Sequence, residues 1–152
     1  MNLKERLRGK IPEDSLAALS SGFHVIGDIA ILRLFPELEP YKEMIAETVL
    51  SNCPGIHTVL NKTSNLQGDR RVAQLEVLAG RGSTITTHNE FGFSYRLDVS
   101  RVFFSSHLGH ERMRVASQVQ AGEDVLLPFA GVGPFYITAV CRRVLYRVAH
   151  TE

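Results

Sequence analysis

Residues 124–135, which read DVLLPFAGVGPF, constrain the fold of this chain more than any other stretch. An apolar run ends at a proline, small residues follow, and a second proline precedes further apolar residues. The first run predicts a strand over residues 124–128. Pro134 predicts the start of a helix that continues to about residue 149, because proline suits the first helical position.

Gly131 and Gly133 predict a tight turn between this strand and this helix. Such a turn lets a ligand approach the backbone, and the free N–H groups of the first helical turn point towards that ligand. The spacing is equally typical of a strand-to-helix turn that binds nothing. The chain contains no G-K-[ST] sequence, and Tyr136 stands where a dinucleotide fingerprint needs glycine or alanine. The sequence therefore predicts neither a P-loop nor a dinucleotide-binding loop.

Composition allows one domain or two small ones in 152 residues, of which 44% are hydrophobic and 22% charged. The net charge of +1 predicts no general affinity for nucleic acid or membranes, so any basic surface must be local. No apolar stretch approaches the roughly 20 residues that span a bilayer, and the N-terminus lacks an apolar signal segment. Cys53 and Cys141 are isolated, which favours a reduced, cytoplasmic protein without membrane partners.

Upstream of the glycine turn the chain is rich in strands and has one strong helical pattern, which predicts an α+β fold. Two apolar runs flank Gly27-Asp28 and predict a hairpin. Alternation after residue 68 predicts a strand in which Val72, Leu75 and Val77 face the core. The other predicted elements are a helical arm over 2–9, a helix over 37–51, a strand over 56–60, two strands around 89–92 and a helix within residues 106–120. We place a boundary between a small domain, residues 1–106, and a second unit, residues 107–152.

Several short motifs follow one another between residues 96 and 135: Asp98-Val99, Phe104-Ser105, Glu111-Arg112, and a predicted strand leading into Phe129–Phe135. In this combination the chain resembles the archaeal and eukaryotic tRNA guanine-37 methyltransferases, the Met-10+ like family, and their relatives in wybutosine synthesis. The stretches 24–32 and 58–80 also resemble the small domain that precedes the catalytic one in that family. The resemblance covers nearly the whole chain.

This resemblance implies an α+β N-terminal domain followed by the opening strand-turn-helix of a Rossmann-like class I methyltransferase domain. It implies S-adenosyl-L-methionine as cofactor and tRNA as partner, with methyl transfer to guanine N1 or, in the wybutosine relatives, transfer of an aminocarboxypropyl group. His107 and Arg101 are implied to bind the substrate. The residues implied to bind the cofactor are Ser105, Arg112, Phe129, Ala130, Gly131, Gly133, Pro134 and Phe135.

Arg112 is implied to lie near the methionine end of the cofactor, where a guanidinium can pair with a carboxylate in a fork geometry. The alternative is an exposed cation on a helix. The chain departs from the family pattern at two places: Ser106-His107 stand where the family often has Pro-Arg, and Leu127 stands where it often has an acidic residue. His107 and His110 are too few to make a zinc site, so no metal is predicted.

A doubly wound sheet needs several parallel strands, and this chain supplies one of them after residue 106. We therefore expect the front part of a methyltransferase, truncated just after the first cofactor motif and inactive by itself. A noncatalytic RNA-binding module is the alternative, since residues 60–115 hold eight Lys and Arg against five Asp and Glu. An oligomeric structural protein without ligand is a third possibility.

The apolar segment 123–149 predicts how the chain assembles. Its strand has no polar alternation, as in strands buried on both faces, and its helix carries an apolar stripe that needs a partner. The stripe consists of Ile137, Val140, Cys141, Val144, Leu145 and Val148. We expect this segment to pack against a second copy of the chain or else to be poorly ordered; the alternative is that it folds back on its own α+β domain.

Overall fold

The computed structural model describes residues 2–68, 71–120, 122–128 and 130–142, with side chains up to residue 139. A four-stranded sheet has the order β1-β2-β3-β4, and β5 and β6 form a separate two-stranded sheet. The strands are β1 (His24–Ile26), β2 (Ile29–Leu32), β3 (Thr58–Lys62), β4 (Leu75–Gly80), β5 (Ile85–Glu90) and β6 (Phe93–Asp98). The α-helices are α1 (Leu3–Leu7), α2 (Glu13–Ala18), α3 (Lys42–Asn52), α4 (Gly109–Gln118) and α5 (Pro134–Arg142).

The predicted hairpin at Gly27-Asp28 is confirmed: Ile26 pairs with Ile29, and Gly27 has a φ of 57° that suits glycine. Strand β3 then runs parallel to β2, with Ala30 opposite Val59. This parallel pairing requires a crossover, which a 3₁₀ turn and α3 provide. Strand β4 returns antiparallel to β3 and forms one edge of the sheet.

One face of the sheet is covered by the three N-terminal helices. Leu3 and Leu7 are fully buried there, so the predicted arm is a core helix. The sequence patterns did not predict α2, although Pro12 and the acidic residues after it are typical of a helix start. Helix α3 buries Ile45 and Val49 against the same cluster, which confirms the helix predicted over 37–51.

The β5–β6 hairpin packs over the other face of the sheet, through a second apolar cluster that includes Ile29, Leu60, Tyr95 and Phe104. The two strands predicted around 89–92 are thereby confirmed. The prediction that Val77 faces the core is wrong, because this residue lies on edge strand β4, outside both clusters, and is 49% exposed.

The strand predicted over residues 124–128 is wrong. Residues 122–128 pair with no strand in the described part of the chain, and Leu126 is 69% exposed. A strand of the parallel type forms only beside a neighbouring strand. The predicted helix starts at Pro134, as expected, and is described to Arg142; the remainder up to residue 149 lies outside the described residues.

Helix α5 packs on its own chain. The Tyr95 hydroxyl and the Thr138 hydroxyl are 2.9 Å apart in a buried hydrogen bond, and Ala139 packs against Ala116 of α4. Ile137 contacts the cluster beneath the β5–β6 hairpin. For the described residues of α5 the structure therefore favours the alternative, in which the segment folds back on its own chain, while association of two copies stays a prediction.

Candidate functional site

A cavity of about 280 Å³ lies where the four-stranded sheet meets the segment between β6 and α4. We call it the junction pocket. Its floor is apolar and is made by Ile26, Ile31, Leu75 and Val99 among others. Its polar lining consists of His24, Lys62, Arg71, Ser105 and His107. An apolar floor with imidazole and cationic groups around it suits a flat, polar ligand that carries negative charge.

Two imidazole rings line the junction pocket side by side. The rings of His24 and His107 are stacked, with centroids 4.7 Å apart and planes 12° from parallel. Ser106 fixes this pair, because its hydroxyl donates to the Val25 carbonyl at 2.9 Å and accepts a hydrogen bond from His24 Nε2 at 2.8 Å. Burial and then the nearby His107, His88 and Lys62 lower the pKa of His24 below its ordinary value of 6.5. At neutral pH His24 is therefore an uncharged donor.

Arg112 is buried and paired. Its side chain is 1% exposed, and its Nε and Nη2 donate to the two carboxylate oxygens of Glu90 at 2.6 Å each. Nη2 also donates to the Ser105 carbonyl at 3.1 Å, and the guanidinium lies 5.0 Å from the Phe104 ring centroid. An exposed helix cation is therefore wrong for Arg112, and the carboxylate that fills its fork belongs to Glu90. Its contact with a cofactor stays a prediction.

Glu90 extends this network to the first hairpin. His88 Nε2 lies 3.4 Å from Glu90 Oε2, while His88 Nδ1 accepts the backbone N–H of Gly27 at 3.1 Å. This geometry places the His88 proton on Nε2. Burial alone would raise the pKa of Glu90, but Arg112 and His88 outweigh burial and hold it below its ordinary value of 4.5. A continuous chain of hydrogen bonds thus joins the β1–β2 turn to Ser105 beside the junction pocket.

The glycine turn before α5 adopts the predicted conformation. Gly131 and Gly133 have φ values of 60° and 71°, and the Gly133 N–H donates to the Ala130 carbonyl at 2.9 Å. Apart from Gly131 and its two chain neighbours, no described residue has an atom within 4 Å of a Cβ built on Gly131, so the backbone there is open to a ligand. Val132 packs against the cluster that contains Phe104. The turn and the Ser105 segment are therefore held by one apolar cluster.

The structure separates the remaining predicted site residues. Arg101 is exposed, and it does not line the junction pocket. Pro134 and Phe135 begin α5, whereas Phe129 lies outside the described residues. His110 packs edge-on against Phe91 at 5.3 Å, away from the imidazole pair.

Neither a metal site nor a membrane span emerges from the part of the chain that the structure describes. No group of three or more His, Cys, Asp or Glu side chains there could hold a metal ion. No described helix combines the length and apolar character that crossing a membrane requires.

Three residues of the junction pocket were not identified from the sequence as a site. Lys62 contributed only to a local excess of positive charge, and His24 carried no signal. Arg71 belongs to the pair Arg70-Arg71, which could contact phosphate but is typical of a solvated basic pair at a hairpin end. The three residues meet because β1 and β3 flank β2, and because the hairpin between β3 and β4 brings Arg71 back over the sheet. Their separation along the chain hides this arrangement.

Comparison with known proteins agrees with these features. Residues 3–84 match the TYW2 N-terminal domain, and residues 86–148 match the TRM5/TYW2 methyltransferase domain. The tRNA (guanine(37)-N(1))-methyltransferase of Danio rerio is 37% identical over 139 residues, which are 91% of this chain and 28% of that protein. The tRNA(Phe) (4-demethylwyosine(37)-C(7)) aminocarboxypropyltransferase of Pyrococcus horikoshii is 40% identical over 131 residues, or 86% of this chain and 46% of that protein.

A solved complex of aTrm5 and tRNALeu resembles the chain with a TM-score of 0.81 and 33% identity, covering 91% of this chain and 42% of that one. The fold is thus that of an α+β domain joined to the beginning of a Rossmann-like methyltransferase domain. The chain belongs to the TRM5/TYW2 family, which confirms the resemblance inferred from residues 96–135. It spans less than half the length of each of these three proteins.

Proposed function

We propose that the junction pocket receives the target base of a tRNA, and that this chain is the base-holding part of an S-adenosyl-L-methionine-dependent enzyme that modifies guanine 37. The observation that carries the proposal is the pocket itself: a cavity of about 280 Å³ with an apolar floor, a stacked imidazole pair and two cations. The relatives, whose names describe action on position 37 of tRNA, support this assignment.

The chemistry of the lining matches an unstacked nucleotide. RNA-binding proteins recognise splayed bases by stacking them on flat side chains and by hydrogen-bonding their edges. The exposed His107 ring offers such a face, and Arg71 and Lys62 offer charge for phosphate oxygens. Ser105, held by Arg112, lies at the edge of the same cavity.

S-adenosyl-L-methionine supplies an electrophilic carbon on its sulfonium, which becomes either the methyl or the aminocarboxypropyl group that is transferred. The turn over residues 130–135 fits close approach of this cofactor, because Gly131 is open and the first N–H groups of α5 lack intrahelical acceptors. We propose that Ala130, Gly131, Gly133, Pro134 and Phe135 line its site, with Ser105 and Arg112 alongside. Arg112 positions Ser105 through the Ser105 carbonyl, while Glu90 occupies its fork in the described arrangement.

The proposed domain boundary stays between residues 106 and 107. The β5–β6 hairpin packs on the first sheet through Tyr95 and Leu97, which favours including it in the first domain. tRNA is the proposed partner and the cytoplasm the proposed compartment. The transferred group remains open between methyl and aminocarboxypropyl, because relatives of both kinds match.

RNA binding by pocket variants tests this function. We expect a tRNA anticodon hairpin with guanine at position 37 to bind the chain, and Arg71→Ala to lower its affinity about tenfold through loss of a phosphate contact. Arg8→Ala is the matched control, since Arg8 is exposed just after helix α1 and its loss should leave affinity unchanged. Equal affinities of the two variants would contradict the proposal. Equilibrium dialysis with labelled S-adenosyl-L-methionine distinguishes this function from the alternative of a noncatalytic RNA-binding module. That alternative predicts that the chain binds RNA but not the cofactor.

A further inference from the structure

A second cavity lies where β2 and β3 end. Because these strands run parallel, their carboxyl ends place Arg33–Pro36 and Lys62–Asn65 side by side. We call the cavity between them, about 580 Å³ in volume, the strand-end groove. Phe35 is 50% exposed at this groove, and Arg33 is exposed beside it. An exposed aromatic ring beside a cation in a groove offers a face on which a nucleic-acid base can stack.

We infer that the strand-end groove binds the unpaired nucleotide next to the target base, with its base stacked on Phe35 and its phosphate against Arg33. This inference rests on the proposed function, since it assumes that RNA occupies the junction pocket. Stacking of a base on an aromatic side chain is tolerant of sequence, so the groove binds a flanking nucleotide without selecting it.

Lys62 connects the two cavities. It lines both the junction pocket and the strand-end groove, at the last residue of β3. Consecutive nucleotides share one phosphate, and a strand with one base in each cavity would place that phosphate near Lys62. The charge of Lys62 is therefore positioned between two successive bases.

The walls of the groove are held in place. The Leu34 N–H donates to Asn61 Oδ1 at 3.1 Å, and Arg33 Nη2 donates to Asn65 Oδ1 at 3.3 Å. The acidic Glu39 also lines the groove, but its carboxylate is paired with Lys42 at 2.5 Å. Arg33 and Lys62 thus leave the groove positive, which favours a phosphate backbone over an acidic peptide or an apolar ligand.

Fluorescent RNA tests the groove. An anticodon hairpin with 2-aminopurine beside guanine 37 is titrated with the 152-residue chain and its variants. We expect quenching by the wild type, about tenfold weaker binding with less quenching for Phe35→Ala, and recovery of both in Phe35→Tyr. Met44→Ala, which removes an exposed side chain from α3, is the control and should bind like the wild type. In Arg33→Ala, the slope of the logarithm of the binding constant against the logarithm of the salt concentration should be about 0.7 less steep than in the wild type.

The outcomes separate this inference from the proposed function. If Arg71→Ala weakens binding while Phe35→Ala matches Met44→Ala, the junction pocket binds RNA and the groove inference is overturned. If the wild type binds no hairpin even at low salt, the groove inference and the proposed function are both contradicted. Loss of binding in Phe35→Ala that Phe35→Tyr fails to restore would also overturn stacking as the role of Phe35.

Discussion

Replacing Glu90 by Gln should destabilise the fold far more than the loss of an exposed carboxylate does. Arg112 is 1% exposed and Glu90 is 9% exposed, and two hydrogen bonds of 2.6 Å join them. Glutamine keeps one acceptor and turns an amide N–H₂ towards the guanidinium, so the buried cation loses its counter-charge. Breaking a buried pair in this way costs about 3–5 kcal/mol, a large part of the roughly 5–15 kcal/mol typical of a domain.

Glu111→Gln is the matched control. Glu111 and Arg114 form a fork of similar length, 2.6 and 2.8 Å, but their side chains are 44% and 58% exposed. We expect this control to unfold like the wild type, because exposed pairs contribute little. Urea unfolding followed by circular dichroism measures the free energies, and the double variant Glu90→Leu/Arg112→Met should recover most of the loss. Equal effects of Glu90→Gln and Glu111→Gln would refute the reasoning.

Three further predictions concern the same framework. Gly27→Ala should lower the free energy of unfolding by about 3 kcal/mol, because φ is 57° and a Cβ would lie 2.6 Å from the Thr87 carbonyl oxygen. The control Gly55→Ala, where a Cβ meets open space, should leave thermal unfolding nearly unchanged. The pKa of His24, followed by NMR, should lie below 6.5. As the pH falls below about 6.5, His24 is protonated first in the unfolded chain, so the free energy of unfolding should decrease until the pH reaches the pKa of the folded state. Tyr95→Phe should remove about 1 kcal/mol and speed hydrogen exchange in α5, with exchange in α3 as the internal reference.

Sequence patterns predicted correctly those elements whose formation depends on residues close together in the chain. The Gly27-Asp28 hairpin, helix α3, the β5–β6 hairpin and the start of α5 at Pro134 all follow from turn residues and periodicity. The strand over residues 124–128 failed, because an apolar run becomes a strand only when a neighbour supplies its hydrogen bonds.

The sequence singled out only part of the residues that the structure brings together. The resemblance implied that Ser105 binds the cofactor and that His107 binds the substrate, and both roles stay predictions. Both residues line the junction pocket, but the residues that complete it come from other strands and from the β3–β4 hairpin. The sequence singled out Arg112 for a fork-shaped pairing with a cofactor carboxylate, but it did not predict the pairing with Glu90, which lies 22 residues earlier on another element. Contacts of this kind depend on how sheets pack, and no pattern within either segment encodes them.

A single NMR experiment tests the pocket most directly. Amide resonances of the isotope-labelled chain are followed while the guanine-37 hairpin is added, and then while a hairpin with adenine at that position is added. We predict that Ser105, His107 and the residues around Arg71 shift most with guanine and less with adenine, while α3 stays unchanged. Shifts confined to α3 and the N-terminal helices, or identical shifts with both hairpins, would contradict a base-binding junction pocket.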